Sequence, residues 1–217
     1  MTGTATGAAI EPGRVRPLRQ QIVAAAVELT TGSGWSSVTM ARLAGVVGVS
    51  RQTVYNEIGS KPALAEAMVL DELARFLSVV ERAFDQHPGN LLGSVDGAVR
   101  GVLELAQDSA LLRAIVSATQ GADTELLPPF TTQSRSLLAA AKAVLAERLA
   151  SFPVSLEPHR LTTVIDAIVR VVLSHIMAPS GTPGTAAGEI TWLTSRLMDT
   201  GASMPAHPEL PGAVRAR

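Results

Sequence analysis

The sequence contains no cysteine and few aromatic residues, and each absence excludes a class of protein. Without cysteine the chain can form no disulfide framework, no thiolate metal site and no cysteine nucleophile, which fits a reducing compartment. Only 17% of the residues are charged and 3% are aromatic, while 47% are hydrophobic, so the chain is too apolar to remain disordered. The 217 residues predict one compact fold or two closely associated subdomains.

Signals for secretion or membrane insertion are also missing from the sequence. The first residues include no apolar stretch of the kind found in signal peptides. The most apolar later segment, 161–177, is interrupted by Asp166, Arg170 and His175, which disfavours a membrane span. We therefore expect a cytoplasmic protein with no membrane partner.

No pattern typical of an enzyme or of a metal site occurs in the chain. The sequence has no nucleophile elbow, zinc-protease motif, phosphate-binding glycine loop or dinucleotide fingerprint, and its four histidines lack metal-ligand spacing. We predict no catalytic residue, no metal and no cofactor. A small helical enzyme and a helical scaffold that binds no DNA remain as alternative functions.

The net charge of −1 hides an asymmetry between the two ends of the chain. Residues 1–61 carry six basic and three acidic residues, a net charge of +3, whereas the remaining residues carry 12 basic and 16 acidic residues, a net charge of −4. A basic N-terminal part on an acidic remainder is compatible with contact between the N-terminal part and a polyanion.

Hydrophobic spacing and capping residues predict an all-α fold of about nine helices, without strands. Thr39 and Gly48 bracket one short helix, and Ser50 and Gly59 bracket the next. Asn90 and Asp108 are further predicted N-caps, and a break at Pro128-Pro129 is expected before a long helix. Other helices are expected near 17–31, 60–85, 90–106, 108–120, 130–150, 158–177 and 186–200.

The two short helices predict a helix-turn-helix over residues 38–58. The turn Gly48-Val49-Ser50 supplies a glycine that ends the first helix, an apolar residue between the helices and a hydroxyl that caps the second helix. At 100° per residue, Val54 and Ile58 share the inner face of the second helix. Its outer face is then polar and short enough to enter a DNA major groove.

At these positions the sequence resembles the TetR family of transcriptional regulators. The resemblance covers the first seventy residues, through Ala-Ala-x-Glu-Leu at 25–29, Val-Thr-Met at 38–40, Gly-Val-Ser at 48–50, Thr-Val-Tyr at 53–55 and Ser-Lys-x-x-Leu at 60–64. Ile58 departs from the pattern, since an aromatic residue is usual there. For residues 71–217 the resemblance is architectural only, an all-helical body of suitable length.

The resemblance implies a function for each side of the second helix of the helix-turn-helix, which we call the reading helix. It assigns Thr39, Tyr55 and Lys61 to phosphates. It assigns Arg51, Gln52, Thr53 and Asn56 to base edges, for which forked donors and amides are chemically suited. Thr39 could instead serve only as a helix cap, and the other side chains could be ordinary solvated surface. Arg14, Arg16 and Arg19 form either a minor-groove arm or a basic leader.

A domain organisation follows from these assignments. We expect a flexible leader at 1–13, a helix-turn-helix DNA-binding domain at 14–60, a helical ligand-binding and dimerisation domain at 61–201 and a flexible tail at 202–217. The resemblance implies a homodimer that binds double-stranded DNA at a pseudo-palindromic operator and acts as a repressor released by a small molecule. The expected dimer interface lies on the last two helices and comprises Val164, Val171, His175, Trp192 and Arg196.

The predicted effector site lies in the helical body. Its candidate residues are apolar, which favours an apolar ligand: Phe76, Val99, Leu103, Leu111, Ile115, Phe130 and Leu137. Glycines at 93, 97 and 101 form a stripe on one helix face. That stripe indicates either close packing against a neighbouring helix or a wall of the ligand cavity.

Overall fold

The chain forms an all-helical structure wherever it is described. The computed structural model describes residues 16–120 and 127–199, and it describes the side chains of residues 16–115 and 135–199. The predicted leader at 1–13, the tail at 202–217 and the side chain of Phe130 lie outside the described residues. Within the described ranges the α-helices are α1 (Leu18–Ser33), α2 (Met40–Val47), α3 (Arg51–Ile58), α4 (Lys61–Gln86), α5 (Leu91–Asp108), α6 (Ala110–Gln120), α7 (Leu127–Leu149), α8 (Pro158–Met177) and α9 (Pro183–Asp199).

The short helices begin and end at the residues that their sequences predict. Thr39 Oγ1 accepts a hydrogen bond from the Arg42 amide at 3.1 Å, and Ser50 Oγ accepts one from the Thr53 amide at 3.0 Å. Gly48 ends α2 in the left-handed conformation, with φ 78° and ψ 30°, which costs a glycine little. The predicted all-α class and the positions of α2 and α3 are confirmed.

Three boundaries in the C-terminal half differ from the prediction. Ser109, rather than Asp108, precedes α6, and its Oγ accepts from the Leu112 amide at 3.1 Å. Asp108 is instead the last residue of α5. The expected break at Pro128-Pro129 is wrong, because both prolines fall in the first turn of α7, where a missing amide hydrogen is tolerated. For the same reason α9 starts earlier than expected, with Pro183 as its first residue.

The chain divides into two compact units, residues 1–68 and 69–217. We call the described part of the first unit the head (16–68) and that of the second the body (69–199). The head is built on α1, α2, α3 and the start of α4, with a 3₁₀ turn at Trp35–Ser37. Its core consists of fully buried apolar side chains from each of these elements, among them Ile22, Ala26, Val38, Leu43, Val54, Leu64 and Met68.

The core of the body joins residues from α4, α5, α7, α8 and α9. Its buried members include Phe84, Val99, Leu149, Ile165 and Ile190. The ring of Phe84 meets that of Phe152 edge to face, with the centroids 5.9 Å apart. A core that draws on five helices fixes the walls of the cavity described below.

Two of the three glycines of the α5 stripe, Gly97 and Gly101, pack against α4, whereas Gly93 lies against the N-cap residue Asn90. A Cβ atom built on Gly101 would lie 2.7 Å from Val79 Cγ1, and one on Gly97 would lie 3.5 Å from Ala83 Cβ. Small residues at these positions let the two helix backbones approach closely. Close packing against α4 therefore explains Gly97 and Gly101. None of the three glycines of the stripe lines the apolar cavity.

Candidate nucleic-acid interface and ligand cavity

The helix α3 presents a polar outer face on a fixed apolar base. Val54 is fully buried and Ile58 nearly so, which anchors the inner side of the helix in the core of the head. Arg51, Gln52 and Asn56 are exposed. Because Ser50 caps the first turn and Val54 and Ile58 hold the opposite side, these three side chains project from a rigid support.

Two side-chain pairs, each one turn apart, order the outer face of α3. Gln52 Nε2 donates to Asn56 Oδ1 at 3.0 Å, and Arg51 Nη2 donates to the Tyr55 hydroxyl at 3.3 Å. The Arg51 guanidinium also lies 5.4 Å from the centre of the Tyr55 ring. Each of these side chains has more donors or acceptors than its pair uses, and the remaining ones are of the kinds that bind base edges or phosphates. Thr53 is half-buried and pairs its hydroxyl with that of Ser50, at 2.8 Å.

The predicted phosphate contacts Thr39 and Lys61 lie at two helix starts. Thr39 is exposed at the N-cap of α2, where unpaired amides already favour an anion. Lys61 is the first residue of α4, and its ammonium lies 4.8 Å from the centre of the Trp35 ring. Trp35 is buried, so this contact ties the lysine to the core of the head.

A contact that the sequence did not reveal joins the first helix to the reading helix. Arg19, near the start of α1, donates from Nη1 to the backbone carbonyl of Glu57 in the last turn of α3. A cation at a helix C-terminus also interacts favourably with the helix dipole. Arg19 therefore belongs to the folded head, which removes it from the basic arm considered from the sequence. Its partner is 38 residues away, so no local pattern could have indicated the pair.

The body contains an apolar cavity of about 460 Å³. Among the described residues its wall is made of aliphatic and aromatic side chains from α4 to α9, with Glu72 and Thr194 as the two polar exceptions. Five of the predicted ligand-binding residues line it: Phe76, Val99, Leu111, Ile115 and Leu137. Leu103 faces a different, smaller cavity of about 300 Å³, together with His175.

Glu72 is the polar group of this cavity that sequence reasoning missed. The residue is only 7% exposed, although Glu is rarely buried. Its Oε2 accepts from Arg75 Nη1 at 2.7 Å, whereas Oε1 is buried with no hydrogen-bond partner among the described residues. The sequence offers a weak signal for this position. Glu72 shares a helix face with Phe76, four residues later, and that face is otherwise apolar.

The surface of α8 and α9 carries several exposed large apolar side chains. Trp192 is 61% exposed, and Leu173 and Met177 on α8 are each nearly half exposed, although both also line the apolar cavity. The Arg196 guanidinium lies 5.9 Å from the centre of the Trp192 ring. Tryptophan is enriched at protein–protein contacts, which makes Trp192 the candidate contact residue of this surface.

The other predicted interface residues divide between the surface and the core. Val171 and His175 are half-buried, and His175 shares a 3.2 Å hydrogen bond with Ser180. Val164, by contrast, is buried at 8% exposure in the core of the body, so it offers almost no surface to a partner. The apolar spacing of α8 could not distinguish its core side from its outer side.

Asp166 links α8 to α7 electrostatically. Its Oδ2 accepts from Arg170 Nε at 2.6 Å, and its Oδ1 accepts from Lys142 Nζ at 2.9 Å. These hydrogen bonds, from Arg170 first and Lys142 second, hold the pKa of the Asp166 carboxyl below its ordinary value. The expected pairing of Asp166 with Arg170 along the helix is present.

The described part of the chain offers no cluster of three or more side chains that could bind a metal ion. Among the described helices, none is long and apolar enough to cross a membrane.

Family models match both units of the chain. Residues 22–68 match the model described as "Bacterial regulatory proteins, tetR family", which includes the helix-turn-helix. Residues 91–196 match the model described as "Bacterial Tetracyclin repressor, C-terminal domain". The sequence resemblance thus extends into the body, where the residues alone indicated only a shared architecture.

Individual proteins are similar over most of the chain. The HTH-type transcriptional regulator AlkX of Mycobacterium tuberculosis is 30% identical over 163 residues, which cover 75% of this chain and 76% of that protein. The crystal structure of the TetR family repressor AlkX from Dietzia sp., implicated in biodegradation of n-alkanes, gives a TM-score of 0.68 at 26% identity and covers 84% of this chain and 98% of that chain. A TetR-family structure from Mesorhizobium loti, 15% identical, has the same fold, with a TM-score of 0.59 over 84% of this chain and 95% of that chain.

Proposed function

The chain belongs to the TetR family of transcriptional regulators, and we propose that it is a homodimeric repressor that an apolar small molecule releases from DNA. Regulators of this family bind DNA and are not enzymes, which agrees with the absence of catalytic motifs from the sequence. The observation that carries the proposal is the capped helix α3, whose exposed polar face stands on a buried apolar side. A DNA-binding regulator acts where the chromosome lies, so we place the protein in the cytoplasm.

In this proposal α3 enters the major groove and reads bases with Arg51, Gln52, Thr53 and Asn56. Arg51 has the forked donors that suit guanine, and the amides of Gln52 and Asn56 suit adenine. Thr39, Tyr55 and Lys61 bind the flanking phosphates. The proposal retains a DNA-binding domain at 14–60 and a ligand-binding and dimerisation domain at 61–201, whereas the compact units of the chain divide between residues 68 and 69.

Dimerisation is proposed to occur through α8 and α9. The support is the exposed Trp192 on α9 with its Arg196 neighbour. Val171 and His175 remain in the proposed interface, and Val164 does not, since it is buried within one chain. A twofold dimer presents two reading helices to the two halves of a pseudo-palindromic operator.

Release from DNA is proposed to follow from occupation of the apolar cavity. Helix α4 supports this coupling, because its later turns line the cavity while its first residue, Lys61, is a proposed phosphate contact. The ligand must bind more tightly to a conformation with wrongly spaced reading helices, since equal affinity for both conformations would shift nothing. The relation of the Dietzia repressor to n-alkane biodegradation agrees with an apolar chain as the class of effector.

A gel-shift experiment tests the proposal. The purified protein is mixed with the DNA upstream of its own gene, and with a shuffled duplex of the same length and composition. The proposal expects binding to the upstream DNA at a concentration that leaves the shuffled duplex free, with one dimer bound per operator. Equal binding to both duplexes would contradict a sequence-specific regulator.

A further inference from the structure

Among the described residues of the cavity wall, the two polar side chains can accept hydrogen bonds but have none to donate. Glu72 is acceptor-only when it is ionised, as its ion pair with Arg75 indicates. The Thr194 hydroxyl is fully buried and already donates its hydrogen to the Ile190 carbonyl, at 2.7 Å. Thr194 therefore has no hydrogen left to donate to a ligand. No other described residue of the cavity wall has a polar side chain.

One carboxylate oxygen of Glu72 is buried without a hydrogen-bond partner among the described residues. Oε2 is bound by Arg75, which is more than half exposed and does not belong to the cavity wall. Oε1 is removed from solvent and has no partner among the described residues. A buried acceptor without a partner destabilises the structure that contains it, and a donor brought by a ligand would relieve that cost. The terminal torsion of Glu is soft, so a turn of the carboxylate can bring Oε1 to a ligand.

We propose that the effector is an apolar chain that ends in a single hydrogen-bond donor, a primary alcohol, and that Glu72 accepts this hydrogen bond. The inference rests on the proposed function, because it names the ligand class for the same cavity. A carboxylate head would meet the charge of Glu72 and find no side-chain donor in the described wall. An ether or an alkane would fill the apolar volume and leave Oε1 unpaired. An alcohol of about ten carbons fits in about 460 Å³, since each non-hydrogen atom takes roughly the 30 Å³ of a water molecule.

Three probes of equal chain length separate these possibilities: decanol, decyl methyl ether and decanoate. Their affinities for the full-length dimer are measured by titration calorimetry. Decyl methyl ether keeps the chain and the oxygen of decanol and replaces the hydroxyl hydrogen, which is the donor, with a methyl group. We expect decanol to bind about 10- to 100-fold more tightly than the ether, the range for a hydrogen bond to a charged acceptor. Decanoate is expected to bind more weakly than decanol.

Two variants of Glu72 assign the preference to this residue. Glu72→Met removes the acceptor at similar volume and should reduce the preference for decanol over the ether to within about twofold. Glu72→Gln keeps the shape and adds an amide donor, so the ether should gain affinity relative to decanol. Asp71→Asn is the matched control, because Asp71 is the neighbouring residue of α4 and is exposed; it should leave the preference unchanged.

The outcomes for the cavity and for the regulator can be told apart. Equal affinities for decanol and its ether, tighter binding of decanoate, or no binding of decanol would each overturn the inference. A preference that survives both Glu72 variants would also overturn it. Release of operator DNA is measured by fluorescence anisotropy in the same samples. A Glu72-dependent preference without DNA release supports the inference and contradicts the proposed regulation. Release of DNA by the ether as readily as by decanol supports the proposed regulation and contradicts the inference.

Discussion

Arg19 of the first helix donates a hydrogen bond to the backbone carbonyl of Glu57, at the end of the reading helix. The contact closes the head across 38 residues of sequence and satisfies a carbonyl that the end of α3 leaves without an intrahelical partner. Arg19 is therefore part of the folded head and not of the basic N-terminal arm that the sequence left open.

Replacing Arg19 with alanine should destabilise the head. We expect Arg19→Ala to lower the free energy of unfolding by about 0.5–1.5 kcal/mol, because a hydrogen bond at the end of α3 is lost. The measurement is chemical denaturation in the absence of DNA. Arg16→Ala is the control. Gln21 donates to the backbone carbonyl of Arg16, and this hydrogen bond is kept when the side chain is replaced. Equal stabilities of the two variants would refute a structural function for the Arg19 side chain.

The close approach of α4 and α5 makes the glycine stripe sensitive to a single methyl group. Gly101→Ala places a Cβ atom 2.7 Å from Val79 Cγ1. We expect the resulting overpacking, about 1–3 kcal/mol, to outweigh the gain in helix propensity of about 1 kcal/mol. The melting temperature should therefore fall.

A matched substitution at an open glycine gives the opposite expectation. Nothing lies within 4 Å of a Cβ atom at Gly45 in α2, so Gly45→Ala should raise the melting temperature through helix propensity alone. If Gly101→Ala stabilised the protein as much as Gly45→Ala does, the packing account of the stripe would fail.

The caps of the two short helices could be predicted from the sequence, whereas three later boundaries and the long-range contacts could not. The caps Thr39 and Ser50 act on amides three residues away, so their sequence neighbourhood contains the whole interaction. Asp108 and Ser109 are adjacent, and either side chain can cap a helix. In the structure Ser109 is buried and its hydroxyl caps α6. A proline pair similarly fits a break or a first helical turn equally well.

The candidate sites show the same division. The face of α3 follows from helical spacing, so the buried Val54 and Ile58 and the exposed Gln52 and Asn56 could be predicted, whereas Thr53 is half-buried. Glu72 was missed because a carboxylate on a long helix is usually solvated, and only the folded body encloses it. Val164 was assigned to the wrong side of α8, because an apolar residue can cover either the core or a partner. No local sequence pattern distinguishes an apolar residue of the core from one that contacts a partner.

Acid should weaken the tie between α7 and α8. The pKa of Asp166 is depressed by Arg170 and Lys142, so this carboxylate contributes stability above its unfolded pKa and loses it as the pH falls through its folded pKa. Chemical denaturation between about pH 5 and pH 2 should show a smaller loss of stability in Asp166→Asn than in the wild type. Lys142→Met removes one of the two donors and should move the loss to higher pH. Identical pH profiles in all three proteins would contradict the assignment.

The dimer is expected to depend on Trp192. Trp192→Glu puts a charge into the proposed contact between α9 and its partner, where it would be removed from water without an ion partner. Light scattering at micromolar concentration should show a shift from dimer to monomer. Trp192→Phe keeps an apolar ring and should remain dimeric. A Trp192→Glu protein that is fully dimeric would move the interface elsewhere on the body.

The most direct measurement of the central claim, that α3 reads DNA, is the salt dependence of binding to the upstream duplex and to its shuffled counterpart. Wild type, Arg51→Ala and Lys61→Ala are compared by fluorescence anisotropy. Arg51→Ala should lose about 1–3 kcal/mol on the upstream duplex and little on the shuffled one. Lys61→Ala should lose affinity equally on both, with a salt slope smaller by about one for each phosphate contact removed. Equal losses on both duplexes in Arg51→Ala, with an unchanged salt slope in Lys61→Ala, would contradict the account.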